Sequence, residues 1–179
     1  MAITKPVPRR WRRATWSLII VPVALLAIGH ATTPKATPAP IGTPAIDVQV
    51  DLSTLARHTL EKNGEGIMLS ATWYGWPAAH AQYYANEIGT IDLGQALAEL
   101  PITAPIAHLS PPNWRAARVG HIEGDIYGNV NAYSTRRQQP DNILACDFAD
   151  GSQIALGSHL LTLRCALISE HEPTRHIER

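Results

Sequence analysis

The sharpest chemistry the sequence offers is in three side chains, His121, Glu123 and Asp125. They alternate along RVGHIEGDIYGNVNAYS (118–134), so a regular strand would carry all three on one face. An imidazole beside two carboxylates can ligate a metal ion or exchange protons with a substrate. The same alternation is what a solvated sheet face looks like, so the trio has a plain structural reading as well. No G-x-S-x-G, S-x-x-K, H-E-x-x-H, phosphate loop or C-x-x-C accompanies it. A metal-dependent hydrolase using His121, Glu123 and Asp125 is therefore an alternative rather than the leading expectation. No catalytic residue and no cofactor is assigned.

A second group is chemical in a different sense. Trp73, Tyr74, Trp76, His80, Tyr83 and Tyr84 all fall within residues 73–84. Trp and Tyr combine a large apolar ring with a polar tip, which makes them frequent anchors for protein partners and glycans. These six residues are the expected binding surface. The competing reading is half-buried core. A Pro-rich stretch, PITAPIAHLSPPN (101–113), offers a second exposed candidate.

Cys146 and Cys165 are the only cysteines. If they lie in an oxidising compartment, a disulfide is the leading reading, and it constrains the sheet. A tight hairpin at Asp150-Gly151 would set Cys146 opposite Ala155 or Leu156 and leave Cys165 one strand further on. Strands two apart are separated by about 9.6 Å, beyond the ~7 Å that Cα atoms of a bridged pair tolerate. A bridge requires instead that 143–148 pair directly with 160–168, with 150–159 expected as a protruding loop.

The compartment is indicated by the other end of the chain. The formal charge of zero conceals Lys5, Arg9, Arg10, Arg12 and Arg13 in the first thirteen residues and no acidic residue before Asp47. From Thr32 onward 10 basic side chains face 15 acidic ones, a net of −5. A mildly acidic domain speaks against a nucleic-acid partner, whose phosphates call for a basic surface. Residues 14–31, ATWSLIIVPVALLAIGHA, contain no Lys, Arg, Asp or Glu. As a helix they would span roughly 27 Å, near the lower limit for a bilayer core. The basic cluster before them holds the N-terminus in the cytoplasm and sends the rest outside. Gly29-His30-Ala31 also offers a signal-peptidase site, so a retained single-pass anchor and a secreted chain cleaved near Ala31 both stand as expectations. Residues 32–45 follow, with Pro34, Pro38, Pro40 and Pro44. They read as an extended linker able to hold a domain about 40 Å from the membrane.

The domain expected over residues 46–169 is α+β. IDVQVDL (46–52) alternates as a strand. Ser53 caps a short helix that buries Leu55, Ala56 and Leu60, and Asn63-Gly64 ends it. GIMLSATWY (66–74) reads as a buried strand. Residues 78–88 and 93–100 read as helices, the first entered through Pro77 and the second capped by Asp92. The remainder is β: 118–134, 142–148 and 159–169, with 136–142 a polar turn and 170–179 a frayed tail. Early helices and a late, largely antiparallel sheet suggest an OB-like or other partly closed barrel.

These readings converge on a non-enzymatic, membrane-tethered, extracytoplasmic interaction module of a bacterial-type envelope. Its contacts would be the membrane through residues 14–31 and an envelope protein partner. The remaining alternative is an OB-type binder of oligosaccharide, or less favourably of nucleic acid.

Overall fold

The computed structural model describes residues 44–179. The basic leader, the apolar run at 14–31 and nearly all of the Pro-rich linker lie outside the described residues. Among the described residues no helix is long and apolar enough to cross a membrane.

Nine strands and a few short helices among the described residues form a mixed α+β domain. A four-stranded sheet contains β1 (Ile46–Leu52), β4 (Ile106–Leu109), β6 (Leu144–Cys146) and β8 (Leu161–Leu167), in the order β4-β1-β8-β6. A five-stranded sheet contains β2 (Ile67–Pro77), β3 (Ile91–Leu100), β5 (Ile122–Ser134), β7 (Phe148–Ser152) and β9 (His176–Glu178), in the order β3-β2-β5-β7-β9. β1 and β8 pair in parallel, as do β7 and β9, and every other pairing is antiparallel.

Period-two burial explains why these segments are strands. Ile46, Val48 and Val50 of β1 and Leu161 and Leu163 of β8 are wholly buried. Leu69, Ala71 and Trp73 of β2, Leu93 of β3 and Val130 of β5 belong to the same core. Each such aliphatic side chain contributes about 1.5–3 kcal/mol relative to exposure. Helix α1 (Thr54–Asn63) closes this core with Ala56 and Leu60. Its ends are as the sequence requires: Ser53 Oγ accepts from the Ala56 N–H at 3.0 Å, and Gly64 turns left-handed at φ 65°. Leu55, expected in the same stripe, is half exposed.

Cys146 and Cys165 are disulfide-bonded and stand directly opposite each other in the β6–β8 pair. The direct pairing that a bridge requires is present. A bridge of this kind belongs to an oxidising compartment outside the cytoplasm.

Several local expectations are corrected. Residues 93–100 are strand β3, not a helix: nine residue pairs with β2 outweigh the helix propensity of Ala, Leu and Glu. The helix expected over 78–88 shrinks to a 3-10 turn at Ala79–Tyr84, followed by an Asn86–Thr90 turn. The surface loop at 101–113 contains β4. Residues 150–159 do not protrude: they complete β7 and form helix α3 (Gln153–Gly157), whose Leu156 is buried. Nor is 170–179 frayed, because β9 pairs with β7 and Arg175 binds Asp147. The strand expected over 118–134 begins only at Ile122, because helix α2 (Ala116–Val119) occupies its start.

Candidate functional site

The aromatic group is sorted by the pleat of β2. Trp73 shares the inward face with Leu69 and Ala71 and is fully buried, which corrects its place in the expected binding surface. Tyr74 lies on the outward face. Two irregularities in register, between Trp73 and Tyr74 and between Tyr74 and Trp76, then re-aim the end of the strand. Trp76 emerges 51% exposed.

Beyond Pro77 the chain makes its 3-10 turn, tied down by the Ala78 N–H donating to His121 O at 2.9 Å. Gln82 Nε2 donates back to Pro77 O at 3.2 Å. The turn carries His80, Tyr83 and Tyr84 outward. Tyr83 and Tyr84 rings lie 4.2 Å apart, and Tyr84 stacks on His121 at 4.3 Å with His80 edge-on to the same imidazole at 6.3 Å. Tyr83 is 74% exposed and Ile88, on the next turn, 80%. Four large side chains, Trp76, Tyr83, Tyr84 and Ile88, thus project from one end of the five-stranded sheet. Ile88 falls outside the surface expected from the sequence because that surface is selected on Trp, Tyr and His, and Ile88 is aliphatic.

The polar trio does not assemble. His121 precedes β5 and is engaged with the aromatic rings, while Glu123 and Asp125 are exposed. Gly124, at φ 81°, lies in the stretch where the β2–β5 register shifts, and this interrupts the strict alternation that would align them. No group of three or more His, Cys, Asp or Glu side chains is placed to hold a metal among the described residues.

Alongside the aromatic end lies a polar depression of about 570 Å³, lined among others by Thr72, Tyr74, Gln95, Asn113 and Asn129. Asp92 and Arg115 form an ion pair in its wall. A smaller depression of about 240 Å³ lies on the other side of Tyr74, lined also by Trp76, Tyr127, Asp150 and Glu178. Tyr74 and Tyr127 rings stack at 6.0 Å between them. Burial first, and then the charge of Asp150, push the Tyr74 hydroxyl above the usual phenol range, so it stays a neutral donor. The Asn129-Val130-Asn131 alternation was a signal for this face that pattern reading passed over.

Two carboxylates whose pKa is lowered serve structure rather than chemistry. Burial pushes Glu65 up, but hydrogen bonds from the Thr135 hydroxyl and the N–H groups of Gln138, Arg137 and Gln139 outweigh it and hold the pKa at about 2. A carboxylate so fully engaged pins the 135–139 turn and has no proton to donate at neutral pH. Asp147 is similar: burial is overcome by the Arg175 guanidinium and the N–H groups of Arg175 and Arg164, which keep it below the usual carboxylate range. A 260 Å³ depression beside the disulfide is walled by Asp147 and Glu170. Glu170 is itself committed to the Ser53 hydroxyl and the Leu167 N–H.

Comparison with models of protein families, with curated proteins and with solved structures finds no match to this chain.

Proposed function

We propose that this protein is a non-enzymatic binding module held on the outer side of a bacterial-type membrane by residues 14–31, and that it engages an envelope partner through the aromatic end of its five-stranded sheet. The observation that carries this reading is the exposure of Tyr83 and Tyr84 on one short, hydrogen-bonded turn, with Trp76 exposed at the end of β2 before it and Ile88 exposed on the turn after it. Large apolar side chains clustered on a pinned surface are what a partner's pocket requires, and burying them offsets the entropy of association. The disulfide supports the outer location, and the basic leader supports the topology.

The test is site-specific photocrosslinking in the envelope. A photoreactive side chain at Tyr83 gives discrete adducts that Trp76→Ala abolishes. The same group at Ile154, equally exposed but on α3, gives none. Identical adducts from both positions would contradict the reading.

A further inference from the structure

Two depressions share Tyr74 on the outer face of the five-stranded sheet and are the two halves of a divided groove. Residues of β3, β2 and β5 line the larger half and residues of β2, β5, β7 and β9 the smaller. Four strand spacings separate their outermost strands, on the order of 19 Å. The groove's lining is unusual for an unused face. Cross-strand register sets Gln95, Thr72, Asn129 and Asp150 in one row, and Leu97, Ser70 and Asn131 in the next. Apart from Asp150 and Leu97, these side chains present amides and hydroxyls, which can both donate and accept hydrogen bonds. Tyr74, shared by both halves, stacks on Tyr127 of the smaller half, and Trp76 lines that half as well.

The chemistry of the occupant follows from what the groove lacks. In the larger half Asp92 is neutralised by Arg115, so no free charge is available for a phosphate or another ion. In the smaller half Asp150 accepts from His176 at 2.6 Å, and Glu178 and Arg179 bring opposite charges to the lining. The lining is too polar for an acyl chain or an apolar helix, which would leave the amides unpaired. A sugar ring has an apolar C–H face to stack on Tyr and a rim of hydroxyls for bidentate Asn and Gln. Several such rings in a row need an elongated groove built on rigid strands. The face keeps its shape because β2, β5 and β7 are each held on both sides, and Asn113 Oδ1 holds edge strand β3 by accepting from the Gln95 N–H at 3.3 Å.

We infer that this groove binds a neutral oligosaccharide, with Tyr74 as the stacking platform and Asn129, Gln95 and Thr72 reading its hydroxyl or acetamido groups. The inference rests on the reading of the domain as a binding module and names the ligand class of the face that adjoins its aromatic end.

The experiment uses the full-length chain in detergent and titrates chitotetraose, cellotetraose and tetralysine, followed by tryptophan fluorescence and calorimetry. Saturable binding of at least one tetrasaccharide with Kd of about 1 mM or tighter is expected, as for a few stacked rings and exposed hydrogen bonds. Tyr74→Ala and Asn129→Ala should each weaken it roughly tenfold, a change of about 1.4 kcal/mol. Ile154→Ser should leave it unchanged, and circular dichroism with an intact disulfide establishes that each variant is folded. Absence of saturable sugar binding, insensitivity to both variants, or tighter binding of tetralysine would each overturn the inference. Crosslinking from Tyr83 that persists without sugar binding would separate failure of this inference from failure of the partner-binding reading.

Discussion

Cys146 faces Cys165 across the β6–β8 pair, and one residue later Asp147 is where the chain leaves the four-stranded sheet for the five-stranded one. The bridge therefore fastens edge strand β6 to central strand β8 at the point where the two sheets are joined. Closing a loop over a sequence separation of 19 should stabilise the fold by about 3 kcal/mol in the chain-entropy account. Thermal melts with and without reductant, and of the Cys146→Ser/Cys165→Ser double variant, should show that loss in both cases. Unchanged melting would mean the bridge adds nothing to the fold.

Asp147 extends the same joint to the C-terminus. Its buried carboxylate accepts from Arg175 N at 2.7 Å and from the Arg175 guanidinium, and so holds β9 in register with β7. Asp147→Ala leaves the backbone donors of Arg164 and Arg175 without an acceptor. The expected cost is about 2–4 kcal/mol, with hydrogen exchange rising first at residues 175–178. Slow exchange there in the variant would show that β9 is held by something else.

Acid should act through Glu65. Its folded pKa is depressed from the ordinary 4.5 to about 2, so its contribution to stability is present above about 4.5 and disappears as pH falls towards 2. Asp147 is shifted in the same direction and adds to the same slope. Urea midpoints measured between pH 5 and pH 2, a range set by those pKa values, should fall steeply in the wild type and less steeply in Glu65→Gln. At neutral pH Glu65→Ala should cost roughly 3 kcal/mol or more, because it orphans the donors that fix the 135–139 turn.

Trp73 and Trp76 separate core from surface within one strand. Trp73→Ala opens a cavity among Leu69, Leu93 and Val130 and should cost about 3–5 kcal/mol. Trp76→Ala removes a half-exposed ring and should lie within about 1 kcal/mol of wild type while abolishing partner crosslinks. Urea denaturation of the pair checks this directly. Equal losses would mean that Trp76 is structural and that the binding surface is misplaced.

What was legible in the sequence had local periodicity behind it. The alternation of β1 and of most of β5, the Ser53 and Gly64 caps of α1, and the turn at 136–142 are all written in nearest neighbours. The bridge was legible because only one pairing of strands brings two cysteines within reach. What escaped was decided at long range. Leu93, Ala96, Leu97 and Leu100 have the spacing and propensity of a helix, yet pairing with β2 draws them out as β3 and exposes Leu97. The polar tail becomes β9 only because Asp147 reaches Arg175, 28 residues away. At the site, Trp76 and Tyr83 are exposed, whereas Trp73 is buried and the trio is interrupted; the last two follow from the pleat and the register shifts of β2 against its neighbours and have no local signal in the sequence.

The most direct measurement is the intact mass of the native protein from a membrane fraction, taken before and after reduction. A tethered, disulfide-stapled outer module predicts the full-length chain in the membrane, gaining the mass of two hydrogens when reduced. A soluble species beginning at Thr32, or a chain already carrying two free thiols, would contradict it.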